Sequence, residues 1–355
     1  MAETIRVGLA DRSYPITIGG NAWSDLVPHL EKGPFTSSIT VTDERVHALY
    51  GETFSRLTDT TGKPAFRFIV PEGEHSKSFK YLESLCRYMA GSGMDRESLV
   101  LALGGGVVGD LAGLAASVYL RGVRLIQLPT TLLSMVDSSV GGKTGINISE
   151  GKNLVGTFYQ PEAVFADTSV LSTLHERDWY SGLGEVIKIA LTLDPELFSY
   201  LESVDDLGPS GDLDVTRIIA AACRRKAEVV ELDEKETGLR KVLNFGHTLG
   251  HGVEAALGYG VLRHGEAVLL GMRAALNLSI RMCGLPADQL QRAIDLLDRI
   301  PVPGVEIPRD VNRFMVRDKK SSENRILGVL IKEIGKHEFV LLEDPELLVE
   351  ALEGP

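Results

Sequence analysis

The stretch SLVLALGGGVVGDLAGLAASVYL, residues 98–120, limits the fold more than any other part of the chain. An apolar run of strand length enters a glycine loop, and a helical pattern leaves it. A run with no polar alternation is buried on both faces, which implies a parallel sheet with helical crossovers. Gly104, Gly106 and Gly109 satisfy G-x-G-x-x-G in the strand–loop–helix setting that gives the motif its meaning. Glycines there let backbone approach a pyrophosphate, and the helix N-terminus favours its charge. A tight strand-to-helix turn is the plainer reading. No acid stands about 20 residues downstream, where the usual fingerprint places the ribose ligand.

Similar alternation surrounds this unit. Residues 37–46 read as a buried strand ending at Asp43 and followed by a helix. Residues 66–78 read as a strand running into a turn, and FKYLESLCRYMAGSG as the next helix. RLIQLP is a further strand, with a helix or turn after it. Beyond about residue 170 helical spacing dominates, until NRILGVLIKEIGKHEFVLL suggests a short hairpin. The expected fold is α/β: an N-terminal Rossmann-like parallel-sheet domain over 1–170 and a mostly α-helical C-terminal domain over 171–355. The 355 residues suffice for two such cores. A net charge of −12 argues against nucleic acid or an anionic membrane as partner. Cys86, Cys223 and Cys283 are far apart, as expected of reduced thiols in a cytoplasmic protein. No run of about 18 apolar residues suggests a membrane span, and the start has no signal-peptide core.

Three of the eight histidines fall within NFGHTLGHGVEAALGYGVLRHGEAV: His247, His251 and His264. The first two are four apart in a helical pattern and share a face. Metal ligands, proton carriers and satisfied core residues are all open readings. The glutamate of H-E-x-x-H is missing, so this is not the usual zinc-protease helix. Glu185 in GLGEVIKIA is the best candidate for a carboxylate ligand, or else a simple partner for Lys188 three residues on. GGKTG at 141–145 is not a phosphate-binding P-loop, because Asp137 stands where that motif needs glycine. Lys143, Lys152, Lys226, Arg240, Lys319 and Lys320 together suit a substrate bearing phosphate and carboxylate.

GGGVVGDLAG, RGVRLIQLPTTLLSMVDSSVGGKTGIN, GKNLVGTFYQP, GLGEVIK, RKVLNFGHTLGHGVE and HGEAV occur in order and closely resemble the 3-dehydroquinate synthases, over roughly residues 39–330. The resemblance implies the fold shared with glycerol dehydrogenase. It also implies catalytic NAD, a divalent metal such as zinc or cobalt, and a phosphorus–oxygen lyase of the shikimate route to chorismate and aromatic amino acids. The implied reaction converts 3-deoxy-D-arabino-heptulosonate 7-phosphate to 3-dehydroquinate and inorganic phosphate. It runs by transient oxidation, phosphate elimination, re-reduction, ring opening and aldol closure, with no net redox change.

By the same resemblance, Glu185, His247 and His264 correspond to metal ligands, and His251 to a proton-transfer or substrate-contacting residue. Lys226 and Arg240 resemble the pair that holds the substrate carboxylate. Lys143, Asn244 and Lys320 resemble phosphate contacts, and Asp137 and Lys188 further substrate contacts. Arg121 resembles an arginine reaching the phosphate of a partner subunit, which implies a homodimer. The positions matching NAD contacts are Asp43, Glu74, Lys77, Gly105, Gly106, Val107, Asp110, Thr130, Thr131, Ser138, Lys152, Asn153, Thr173 and Leu174. Asp43 thereby supplies the ribose acid missing downstream. One departure is TLHERD at 173–178, where the family commonly has proline after the leucine. Three other readings are another sugar-phosphate cyclase, an alcohol dehydrogenase that releases NADH, and a non-catalytic nucleotide-binding module. The carboxylate pair and His251 weigh against the first. The phosphate set weighs against the second, and the presence of Glu185 and His264 against the third.

Overall fold

Strands buried along their whole length shape the first part of the chain. The structure, a computed structural model, describes residues 2–258, 260–308, 311–316, 326–352 and 354. The chain opens with β1 (Glu3–Val7), β2 (Tyr14–Gly19), α1 (Ala22–Lys32), β3 (Ser38–Asp43), α2 (Glu44–Asp59), β4 (Ala65–Val70) and α3 (Phe79–Gly91). It continues through β5 (Leu99–Gly104), α4 (Gly106–Val118), β6 (Arg124–Pro129), β7 (Lys143–Ile148), β8 (Gly151–Phe158) and β9 (Ala163–Asp167). Seven of these strands form one sheet in the order β1-β2-β9-β6-β5-β3-β4. Only β1–β2 pairs antiparallel there; the other pairings are parallel. Every residue of β5 and β9 is buried, as the apolar run of β5 and the first four residues of β9 require. Ile39, Val41, Val100, Ala102, Val108, Ala112 and Leu125 pack in one core cluster, each larger side chain contributing roughly 1.5–3 kcal/mol by burial.

Helices take over next, as expected: α5 (Glu176–Leu193), α6 (Pro195–Ser203), α7 (Val215–Leu232), α8 (His247–Leu257), α9 (His264–Cys283), α10 (Ala287–Asp298) and the short α11 (Asn312–Val316). β10 (Ile326–Glu333) and β11 (Lys336–Leu342) make the antiparallel hairpin, and α12 (Glu346–Glu350) follows. No helix among the described residues is long and apolar enough to cross a membrane.

Two compact units result. One comprises Met1–Leu174 and Val215–Glu231; the other comprises His175–Asp214 and Leu232–Pro355. This differs from a single cut at 170/171, because α7 returns to the first unit. There the Cys223 thiol donates to the Met135 carbonyl at 3.2 Å, and the Glu231 carboxylate accepts from Gly8 N at 2.5 Å. Sequence reading also missed a second sheet. After β6, a π-helical turn at Ser134–Ser138 leads into the antiparallel hairpin β7–β8.

Candidate active site

In the first unit the glycine loop forms as its motif requires. Gly104 ends β5, Gly105 caps α4, and Gly106 begins that helix. A Cβ on Gly105 would lie 3.2 Å from the Thr131 methyl, and one on Gly106 would lie 3.2 Å from Ser138 Oγ. Thr130 donates its backbone N–H to Gly104 O at 3.0 Å. The loop therefore brings Gly105, Gly106, Val107, Thr130, Thr131 and Ser138 into one neighbourhood.

A polar network flanks this loop. Lys77 Nζ, almost fully buried, donates to Asp110 Oδ2 at 2.6 Å and to Asn153 Oδ1 at 2.5 Å. It also lies 3.7 Å from Glu74 Oε1. Asn147 ties the set together: its Nδ2 donates to Glu74 Oε1 at 2.8 Å, and its Oδ1 accepts from Asn153 N at 2.9 Å. Burial opposes the Lys77 charge, but Asp110 and Glu74 outweigh it and hold the ammonium above its ordinary range. Asn153 has left-handed backbone (φ +57°), a conformation that asparagine tolerates better than most residues. Lys152 precedes it in β8.

Asp43 ends β3 and caps α2, accepting from Val46 N at 2.8 Å. Burial pushes its carboxyl up, against the pull of that N–H. Thr173 and Leu174 reach α2 through Thr173. Its carbonyl accepts from Arg45 Nη2 at 3.1 Å, and its hydroxyl lies 2.7 Å from Tyr50 Oη. Lys226 on α7 donates to both the backbone carbonyl and Oδ1 of Asp137, each at 2.5 Å. Lys143 opens β7 and is exposed. Arg121 is exposed too, and it and Leu120 both have left-handed backbone (φ +68° and +49°).

In the second unit three helices converge at close range. A Cβ on Gly265 would lie 1.9 Å from Ser181 O, and one on Gly271 would lie 1.9 Å from Gly246 O. Only glycine allows backbone to approach backbone so closely. The approach draws together Glu185 on α5, His247 on α8 and His264 on α9. Glu185 Oε1 lies 3.6 Å from His247 Nε2 and 3.7 Å from His264 Nε2. The other oxygen, Oε2, accepts from Lys188 Nζ. Glu185 Oε1 is buried and makes no hydrogen bond.

Both imidazoles have their Nδ1 atoms engaged elsewhere. His247 Nδ1 faces Phe245 O at 3.1 Å, and His264 Nδ1 faces Glu254 Oε2 at 3.1 Å. Burial pushes the His247 pKa well below its usual value, and the Lys188 ammonium and the other two imidazoles act in the same direction. A neutral imidazole with a directed Nε2 lone pair is what a metal requires. Ligand distances of about 2.0–2.2 Å in a tetrahedral zinc site put donor atoms roughly 3.3–3.6 Å apart. The donor set and the orphaned oxygen therefore fit a divalent metal. His251 joins the cluster: ligand atoms of His247, His251 and His264 all lie within 4.8 Å of one another.

The base of His264 is braced. The Glu266 carboxylate accepts from Arg263 N at 2.7 Å and from Arg177 Nε and Nη2 at 2.8 and 2.7 Å. Gly265 N donates to Ser181 Oγ at 2.9 Å. Arg240, fully buried, donates from Nη1 to Glu234 O at 2.5 Å, and Asn244 Nδ2 donates to Glu236 Oε1 at 2.7 Å. Asp233 anchors this loop by accepting from the backbone N–H groups of Thr237, Gly238 and Arg240. Desolvation is the largest single influence and raises its carboxyl, but those donors together outweigh it and lower the pKa to about 2. Lys226 and Arg240 fall in different units. Lys319 and Lys320 lie outside the described residues. His175 is the residue before α5. Sequence reasoning passed over Asn147, Arg177, Glu254 and Glu266. Glu254 carried a usable signal, since it lies seven residues after His247 and three after His251, on the same helical stripe.

Comparison with known proteins places this arrangement. The fold is shared with solved synthases whose structures carry NAD+ and a divalent metal. A solved 2-deoxy-scyllo-inosose synthase, complexed with carbaglucose-6-phosphate, NAD+ and Co2+, has TM-score 0.89 at 26% identity and covers 99% of this chain and 100% of its own. A 2-epi-5-epi-valiolone synthase from Streptomyces hygroscopicus, with NAD+ and Zn2+ bound, has TM-score 0.86 at 28% identity, covering 98% and 97%. Within that class the family models are specific: 3-dehydroquinate synthase N-terminal matches residues 67–181, and 3-dehydroquinate synthase C-terminal matches 182–321. A curated 3-dehydroquinate synthase from Acidithiobacillus ferrooxidans is 43% identical over 359 residues, covering 99% of this chain and 98% of that protein. The chain belongs to the 3-dehydroquinate synthase family.

Proposed function

We propose that this protein is a NAD- and divalent-metal-dependent phosphorus–oxygen lyase that converts 3-deoxy-D-arabino-heptulosonate 7-phosphate to 3-dehydroquinate and inorganic phosphate. The observation that carries the metal dependence is the buried, unbonded Glu185 Oε1 facing the Nε2 atoms of His247 and His264. When bound, the metal supplies acidification of a substrate hydroxyl, and NAD a reversible acceptor for its hydride.

The residues of the chain do the rest. Gly105, Gly106, Val107, Thr130, Thr131 and Ser138 receive the pyrophosphate side of NAD. Glu74, Lys77, Asp110, Lys152 and Asn153 form its polar wall, and Asp43, Thr173 and Leu174 hold the ribose end. Lys226 and Arg240 bind the substrate carboxylate. Lys143, Asn244 and Lys320 bind the phosphate, while Asp137 and Lys188 orient hydroxyls. His251 moves a proton rather than ligating the metal. Consecutive left-handed residues Leu120 and Arg121, with Val118 and Leu120 exposed at 46% and 41%, support a homodimer in which Arg121 reaches the partner's phosphate. The three unpaired thiols support a cytoplasmic location.

Phosphate release from the heptulosonate 7-phosphate tests the reading, with NAD and zinc added and absorbance followed at the NADH band. Release without net NADH, abolished by a chelator, is expected. NADH accumulating from a simple polyol, with no phosphate release, would refute it.

A further inference from the structure

We propose that Glu254 is a positioning residue for the metal, one that fixes which nitrogen of His264 faces Glu185. The proposal rests on Glu185, His247 and His264 being the ligands. Glu254 lies on α8 one turn beyond His251, and its side chain is 5% exposed. Burying a carboxylate is costly unless a partner compensates it, and His264 Nδ1 is 3.1 Å from its Oε2. In the proposed arrangement the proton of this contact is on Nδ1, which donates to the carboxylate oxygen. Nε2 is then the lone-pair atom, and it is Nε2 that lies 3.7 Å from Glu185 Oε1.

The two histidine ligands are thus oriented differently. His247 Nδ1 faces the neutral carbonyl of Phe245, whereas His264 Nδ1 faces a charge. His264 also needs more restraint: its side chain is 28% exposed and stands at the first residue of α9, against 11% for His247. A carboxylate on the far nitrogen sets the ring rotation and raises ligand basicity.

The test is zinc affinity of the full-length protein by chelator competition, with the visible spectrum of the Co2+-loaded form as a second signature. Glu254→Ala is expected to lose about 10–100-fold in affinity, and Glu254→Gln, which keeps an acceptor oxygen, to lose less. Glu254→Ala is expected to cost little more once His264→Ala is present, because the two act through one ligand. Fully additive losses, or wild-type affinity in Glu254→Ala, would overturn the proposal. If Glu185→Ala and His264→Ala also leave affinity unchanged, the metal-site reading fails with it. If those two lose affinity and Glu254→Ala does not, only the role of Glu254 falls. Should Glu254→Ala not fold, nitrogen-15 spectra of histidine-labelled wild type with zinc decide: a proton on His264 Nδ1 is expected, and a proton on Nε2 would overturn the proposal.

Discussion

Lys188→Met separates the two jobs proposed for Glu185. Both side chains are 2% exposed, and Lys188 is the cation that neutralises Glu185 when no metal is present. Methionine fills the space of the lysine stem but removes the charge. Removing one partner of a buried ion pair costs about 3–5 kcal/mol, because the other is left uncompensated. For a unit of about 150–250 residues, each kcal/mol moves Tm by about 2–4 °C, so the metal-free variant should melt roughly 6–20 °C lower. A divalent cation bound at Oε1 replaces the missing charge. Saturating zinc should therefore recover most of the loss and raise the variant's Tm more than the wild type's. The chain has two tryptophans, Trp23 in the first unit and Trp179 on α5 with Glu185. In a Trp23→Phe background, fluorescence follows the second unit alone. Equal losses with and without zinc, or no loss in its absence, would refute the reasoning.

Other perturbations address the remaining parts. Gly265→Ala drives a Cβ to 1.9 Å from the Ser181 backbone oxygen, where no flexible side chain can yield; a loss of about 1–3 kcal/mol or more is expected, with weakened zinc binding in the same chelator assay. The lowered pKa of His247 gives acid sensitivity to the metal-free protein. Above its usual value of 6.5 both states leave the ring neutral; as pH falls below that, the unfolded chain takes a proton that the folded one refuses. Stability of the second unit in urea should therefore fall by up to about 1.4 kcal/mol per pH unit for this one group, until the folded pKa is reached, and His247→Gln should flatten the slope. Lys77→Met removes a charge-assisted bond worth about 1.5–3 kcal/mol and leaves the half-buried Asp110 without its cation. A loss in NAD affinity of about 10–150-fold is expected by calorimetry, and unchanged affinity would remove Lys77 from the cofactor wall.

Local chemistry was legible in the sequence where a residue's neighbours are also its contacts. The glycine loop, the strand ending at Asp43, the hairpin β10–β11 and the helical stripe of His247 and His251 all follow from spacing. Long-range pairing was not. Lys77 meets Asp110 and Asn153 across 33 and 76 residues, and no period connects them; motif resemblance grouped them without saying how they touch. The return of α7 to the first unit was hidden for a similar reason. An amphipathic pattern says that a helix buries one stripe, but not which core receives it. The hairpin β7–β8 was obscured because its lysines, glycines and asparagines read as ligand-binding loop before they read as strand.

Glu185 shows why spacing alone left alternatives standing. Three residues before Lys188 in an apolar helix, it read equally as an ion-pair partner or as a metal ligand. A carboxylate has two oxygens, and here they point to different tasks. Oε2 accepts from Lys188, one turn along the same helix. Oε1 faces His247 and His264 and makes no hydrogen bond. The pairing with Lys188 makes the burial of Glu185 tolerable, and it leaves one oxygen directed at the imidazoles. The close backbone approach at Gly265 and Gly271 sets the distance between the helices, and each Nδ1 faces an oxygen, Phe245 O for His247 and Glu254 Oε2 for His264. Under the proposed metal site the two readings of Glu185 are two halves of one arrangement, in which the lysine supplies the charge balance and the glycines supply the reach.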